Sequence, residues 1–238
     1  MVPLSFADHE LVLLDSRALY WPAERALLVA DLHLEKASFF AGHGQMLPPY
    51  DSRETLERVA DNIRRTGAQR VITLGDNFHD AGGAARLEPH ACGMLEALTR
   101  AVDWVWITGN HDIGRDGTRA EAQCGGTPVE ELELAGVVLR HMAKRGETAP
   151  EISGHFHPKL MLKIRQRRIS RPCAVLAANE NGPKGETIHR LIAPAFGAFT
   201  GGMPAGDPAI LRALQPASRI EALVPAKGRL ARFPLYAA

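Results

Sequence analysis

Three cysteines are all that the 238 residues contain. Cys92, Cys124 and Cys173 are odd in number and far apart, without the pattern of a disulfide framework or a zinc knuckle, and read as reduced thiols inside a cell. Charge is nearly balanced as well. A net +1 does not announce a nucleic-acid or membrane partner, so any such preference has to come from a local patch. The opening stretch Met1–Glu10 lacks the basic start and apolar core of a signal peptide. No apolar run approaches the ~20 residues that span a bilayer. A soluble, cytoplasmic protein with no membrane partner is the expectation. No internal repeat is visible. What is present is a chain long enough to bury a substantial core. It reads as a single domain over 1–238, with a core at about 10–202 and an extension rich in Pro and Ala over 203–238.

Apolar periodicity lays out the elements. Leu11–Leu14 and Ala18–Trp21, parted by Asp15-Ser16-Arg17, suggest an opening hairpin. Ala26–Ala30 is an apolar run of strand length. Leu56, Val59, Ala60 and Ile63 recur at helical spacing and predict a helix over Ser52–Thr66, with Asp51 and Glu54 as an acidic capping box and Gly67 as its stop. Val71–Leu74 reads as a strand, Pro89–Val102 as a helix with proline in its first turn, and Trp104–Thr108 as a third strand. Strands alternating with helices build a helix-covered sheet whose right-handed crossovers set the strands parallel. Beyond residue 136 the pattern turns to strands: Val137–Leu139, Leu160–Arg167, Ala174–Ala177 and Thr187–Ile192. A second sheet packed on the first is expected, with a short helix near Pro208–Leu214.

Five polar clusters punctuate this layout, each after an apolar run: Asp31-Leu32-His33, Gly75-Asp76-Asn77-Phe78-His79, Gly109-Asn110-His111-Asp112, His141, and Gly154-His155-Phe156-His157. In extended chain, residues i and i+2 point the same way, so Asp31 with His33, and His155 with His157, form two-toothed claws. Asp-x-His alone is an ordinary turn or cap, Asn-His-Asp after glycine an ordinary turn, and a lone His141 an ordinary structural histidine. Their joint occurrence decides otherwise. Six of the ten histidines sit in these clusters, and independent turns would not supply two metal centres' worth of ligands in order. Imidazole nitrogen with carboxylate or amide oxygen suits Mn²⁺, Fe, Zn²⁺ or Ni²⁺. The first three clusters also fall beyond the carboxyl ends of the predicted parallel strands, where ligands gather in such sheets.

The series D-x-H, G-D-x-x-H, G-N-H-D, lone H and G-H-x-H resembles the calcineurin-like metallophosphoesterases from Ala26 to His157. The resemblance implies an α/β fold of two mixed sheets sandwiched between helices, and a pair of divalent ions. One ion would take Asp31, His33, Asp76 and His157. The other would take Asp76, Asn110, His141 and His155, with Asp76 bridging. His141 is preferred to His189 only by its place at a strand end. It implies further that ions of this kind activate a shared water, that His111 protonates the leaving oxygen, and that His79 orients it. The position three after the bridging aspartate, often Asp in these enzymes, is His79 here. That departure alters the partner of His111, for which the adjacent Asp80 is an available acceptor.

The stretch Pro158–Arg171 holds Lys159, Lys163, Arg165, Arg167, Arg168 and Arg171 and no acid. Read as one strand, it puts Leu160, Leu162 and Ile164 on one face and Lys163, Arg165 and Arg167 on the other, a cationic strip suited to a polyanion. A solvated strand face is the alternative, and the strip has few aromatics for stacking. Ile152–Pro158, Pro172-Cys173 and Pro194–Gly202 are similar to one bacterial subfamily, the ligase-associated DNA-damage-response endonucleases. That likeness implies a manganese-dependent phosphodiesterase cutting single-stranded DNA, in association with a DNA ligase, an exonuclease and a helicase. A small-molecule phosphoesterase and a catalytically silent scaffold stand as alternatives.

Overall fold

Val2, Leu4 and Phe6 alternate with exposed Pro3 and Ser5, and this period of two builds a first strand, β1 (Val2–Phe6), not foreseen from the sequence. The computed structural model describes residues 1–120, 124–183 and 185–237. β1 pairs with β2 (His9–Leu13), and β2 with β3 (Leu19–Trp21), in the expected hairpin. β4 (Ala26–Val29) is buried at every position, as a strand covered on both faces must be. The chain continues through α1 (Lys36–Gly42) and α2 (Asp51–Thr66) to β5 (Arg70–Leu74). It then passes α3 (Gly83–Arg86) and α4 (Pro89–Ala101) to β6 (Asp103–Ile107) and β7 (Thr127–Val129). These strands form a seven-stranded sheet in the order β1-β2-β3-β4-β5-β6-β7, antiparallel up to β4 and parallel beyond.

The second half supplies β8 (Glu131–Leu134), β9 (Val137–Arg140), β10 (Glu151–Ser153), β11 (Lys159–Ile164), β12 (Arg167–Pro172), β13 (Ala174–Asn179), β14 (Ile188–Ile192), α5 (Pro208–Ala213), β15 (Arg219–Ala226) and β16 (Arg229–Ala237). Seven of these strands form the second sheet, in the order β16-β15-β13-β14-β10-β9-β8. Within residues 203–237, β15 and β16 are thus strands of this sheet, and α5 packs against it through Ile210 and Leu214.

Two expectations are corrected here. Leu160–Arg167 is not one strand: Arg165 and Gln166 take left-handed φ of 45° and 64° and turn the chain, so β11 and β12 pair as a separate two-stranded hairpin. Pairing Lys163 with Arg168 puts them on one face with Lys159, while Arg167 and Arg171 share the other with Leu160 and Leu162. The side chain of Ile164 lies outside the described residues. The acidic capping box at Asp51 is also absent, because Asp51 is already helical. Its carboxylate instead accepts from the Ala37 N–H at 3.0 Å, and Ser52 Oγ accepts from the Glu35 N–H at 2.8 Å, so the start of α2 holds the start of α1. Gly67 does end α2 in the left-handed conformation, and Glu88 caps α4 by accepting from His90 and Ala91.

Three cores follow from this layering. One lies between the sheets and includes Phe6, Trp21, Leu74, Ile107, Leu139, Ile152 and Leu191. A second joins the outer face of the first sheet to α2 and α4 through Leu56, Val59, Leu95 and Trp104. The third covers the outer face of the second sheet with α5 and the hairpin root, through Leu160, Val175, Ile192, Ile210 and Leu214. Among the described residues no helix is long and apolar enough to cross a membrane.

Candidate metal centre

β4, β5 and β6 run parallel, as do β9 and β10, so the loops after them open on common edges. Past β4 and β5 the pairing continues as a zipper of backbone bonds: Asp31 N to Gly75 O at 3.1 Å, His33 N to Asp76 O at 2.9 Å, and Leu34 N to Asn77 O at 2.9 Å. From the second sheet, Gly154 N donates to His141 O at 2.8 Å, and His155 N reaches across to Asp31 Oδ1 at 2.9 Å. Sheet edges that face each other thereby bring five separate segments together.

The backbone is forced to make that convergence. Asp31, His33, Asp76, His155 and His157 all have left-handed φ, between 44° and 73°, a conformation that costs a non-glycine residue roughly 1 kcal/mol or more and gathers at functional sites. Two neighbouring glycines are required by close approach. A Cβ on Gly75 would strike the His141 ring, and one on Gly109 would strike the backbone and carboxylate of Asp76.

Ligand atoms of Asp31, His33, Asp76 and His157 lie within 4.8 Å of one another, and so do those of Asp76, His141 and His155. Asp76 belongs to both groups. Asn110 joins the second, with its Oδ1 2.9 Å from His141 Nε2. His189, the alternative to His141, is on β14 and accepts from Ala7 N at 3.1 Å, outside the cluster.

The donor set fits cations. Asp31 and Asp76 are 0% and 2% exposed, and among the described residues their ion-pair contacts are all with histidines. Two buried carboxylates need stronger compensation than neutral rings. The rings are also aimed at one another: His33 Nε2 is 3.2 Å from His157 Nε2, and His141 Nε2 is 3.0 Å from His155 Nδ1. At least one nitrogen of each such pair presents a lone pair toward the centre. Burial, then His157 and His111, push the His33 imidazole down to about 2, and burial followed by His141 lowers that of His155, so both stay in the neutral form a metal needs.

His111 and His79 flank the first group. His111 Nδ1 donates to the His79 carbonyl at 2.7 Å, which leaves Nε2 as the exchanging nitrogen, and the two rings stack with centroids 5.6 Å apart. Burial and the Lys36 charge hold His79 down at about 4, so it is neutral near pH 7. Asp80 is not the partner of His111, because it forms a two-pronged ion pair with Arg86. Sequence reasoning passed over Asp112 as a turn residue. Fully buried, it accepts from the backbone N–H groups of Asn77, Phe78 and Gly109 at 3.1, 2.9 and 2.8 Å and from Asn77 Nδ2 at 2.9 Å, tying two ligand loops together. Its only sequence signal is its place at the end of G-N-H-D. Lys163, Arg165 and Arg167 are exposed on the hairpin, not at the centre, although β11 begins two residues after His157.

Residues 24–159 match the calcineurin-like phosphoesterase family, a span that contains every segment of this cluster. The chain belongs to that family. It is a metal-dependent phosphoesterase. Among solved structures, this phosphoesterase is similar to Pseudomonas putida nuclease MPE, with a TM-score of 0.68 and 30% identity over 98% of both chains. Yfce, a phosphoesterase from E. coli, aligns over 89% of this chain and 99% of its own, with 13% identity and a TM-score of 0.40. A search by sequence among curated proteins returns no match. As the family uses divalent metals, the phosphoesterase's own donor set and its cofactor class agree.

Proposed function

We propose that the protein is a dinuclear phosphodiesterase that cuts single-stranded DNA, a cytoplasmic enzyme with Mn²⁺ as its working ion. Asp31, His33, Asp76 and His157 would hold one ion, and Asp76, Asn110, His141 and His155 the other. The observation that carries this reading is the double membership of Asp76, whose carboxylate has an oxygen for each neighbour. When bound, such a pair of ions neutralises phosphoryl charge and makes water nucleophilic near neutral pH. The protein's part is position and proton transfer. The Asp31 and Asp112 carboxylates lock the loops, and His111, anchored through Nδ1, presents Nε2 to protonate the leaving oxygen. His79 remains neutral and fixes the plane of the His111 ring.

Support for a nucleic-acid substrate comes from the likeness to a nuclease over nearly the full chain and from the β11–β12 hairpin. Lys163 stands directly across from Arg168, and among the described residues neither forms an ion pair. Like charges placed opposite each other weaken a strand pair, and a phosphate backbone along the hairpin would remove that cost. A repair role beside a DNA ligase, exonuclease and helicase is supported by the likeness of Ile152–Pro158 and Pro194–Gly202 to the ligase-associated endonucleases.

The test is a matrix of Mn²⁺, Ni²⁺, Co²⁺, Zn²⁺ and Mg²⁺ against an aryl phosphodiester, an aryl phosphomonoester, and single- and double-stranded DNA. The expected result is diester and single-strand cleavage, strongest with Mn²⁺. Efficient hydrolysis of a nucleotide or monoester with no DNA cleavage would return the small-molecule reading instead.

A further inference from the structure

The basic strip has few aromatics, but the fold brings rings to the centre from elsewhere. Of the eight phenylalanines, Phe6, Phe78, Phe156, Phe196 and Phe233 belong to or pack against the three cores, whereas Phe39, Phe40 and Phe199 belong to none. Two of them lie beside the catalytic cluster, and the third is in a loop whose ends adjoin it. Phe39 and Phe40, half-exposed on α1, have ring centroids 4.8 and 5.5 Å from that of His79. Phe199 lies in the segment Gly197–Gly202, whose two ends press on the Leu32 and His157 carbonyls. Tyr50, 53% exposed, stands 6.4 Å from Phe199. Two lysines accompany them. Lys36, which opens α1, acts electrostatically on His33 and His79 and lies near Lys159, whose stem rests by Gly202. Neither lysine forms an ion pair among the described residues, although Asp51 acts on Lys36 from further off.

Single exposed apolar residues need no explanation, but a cluster at the mouth of an active site does. Neighbouring cations without close acidic partners point to an anionic chain, and rings beside them to the flat groups attached to it. A phosphodiester seated at Asp76 carries a nucleoside on each side. The faces of its bases are free to stack on protein rings only when the strand is unpaired.

We propose that Phe39 and Phe40, with Tyr50 and Phe199, form a stacking platform for unpaired bases flanking the scissile phosphate, and that Lys36 and Lys159 hold the adjoining phosphates. The platform makes the enzyme selective for single strands. This inference rests on the nuclease reading above.

The test compares an ordinary single strand with one of the same length built from stable abasic (tetrahydrofuran) residues, which keeps every phosphate and removes every base. Wild-type kcat/KM is expected to fall by about tenfold or more on the abasic strand, the scale of one or more stacked bases. In Phe39→Leu/Phe40→Leu, and separately in Tyr50→Ala/Phe199→Ala, that ratio shrinks toward one. Each ratio is taken within one protein, so partial loss of folded enzyme cancels. A wild-type enzyme indifferent to missing bases overturns the platform, as does a ratio unchanged in both double variants. If neither strand is cut while an aryl phosphodiester is hydrolysed, the nuclease reading itself fails, and the platform with it.

Discussion

Asp76 has neighbours on both sides, which separates its substitution from that of any other ligand. Asp76→Ala is expected to leave less than one ion per chain after Mn²⁺ loading, against about two for the wild type, measured by elemental analysis of dialysed protein. His111 stands beside His33 but belongs to neither donor group that shares Asp76, and its Nδ1 is committed to the His79 carbonyl. His111→Ala should therefore retain metal yet lose roughly 10²–10⁴-fold in kcat on diesters with poor leaving groups, and far less on aryl esters that leave without a proton. Equal losses on both substrates would remove the proton-donor role. These residues were legible in the sequence because phosphoester chemistry with metals demands particular donor atoms, and the spacing D-x-H or H-x-H shows them. Asp112 was not, since a carboxylate that binds backbone N–H groups looks the same in sequence as any turn aspartate. The left-handed φ at Asp31 and His155 was equally hidden, because it arises from packing between distant loops.

At the scale of elements, the hairpin shows why a basic run is ambiguous in sequence. Leu160, Leu162 and Ile164 alternate with Lys163 and Arg165, and the chain reverses at the left-handed pair Arg165-Gln166. Neither residue is a customary turn former, so no turn signal was available. The register assigns Lys163 and Arg168 to the face opposite buried Leu160. Changing both to Gln should weaken single-strand cleavage through KM and lower the salt dependence by about one or two phosphate contacts, with the aryl diester unaffected. The strands behind the centre carry a different charge device. Glu151 on β10 is 0% exposed and accepts from Arg190 of β14 at 2.9 and 2.6 Å and pairs with Arg140 of β9 at 3.1 Å, which locks together the strands leading to His141 and His155. Glu151→Ala leaves buried guanidinium unpaired and should cost about 3–5 kcal/mol in urea unfolding. A loss under about 1 kcal/mol would show that these charges are solvated.

For the whole molecule, the cluster of neutral histidines couples stability to pH. In the metal-free protein His33, His79 and His155 are all held below their ordinary range, first of all by burial. The unfolded chain, with imidazoles near about 6.5, then binds more protons than the native chain as the solution becomes acidic. Their contribution is complete above that pH and is lost as pH falls through about 4, where His79 takes its proton in the fold, and below that for His33. Urea midpoints of chelator-treated protein should drop steadily from about pH 7.5 to about pH 5, and a flat profile would contradict the burial of these rings. Within the first sheet β4, β5 and β6 were readable because they are buried, largely apolar runs, whereas β1 and the short, exposed β7 were not. The tail was not, since β15 and β16 mix exposed charges with buried Ile220 and Leu223 and take their meaning only from pairing with β13. The division of donors between sheets also bears on biosynthesis. A nascent chain that has released only the first sheet presents Asp31, His33, Asp76 and Asn110, while His141, His155 and His157 are still unmade or inside the ribosome. Neither donor group that shares Asp76 is therefore complete until the second sheet's histidines have been made.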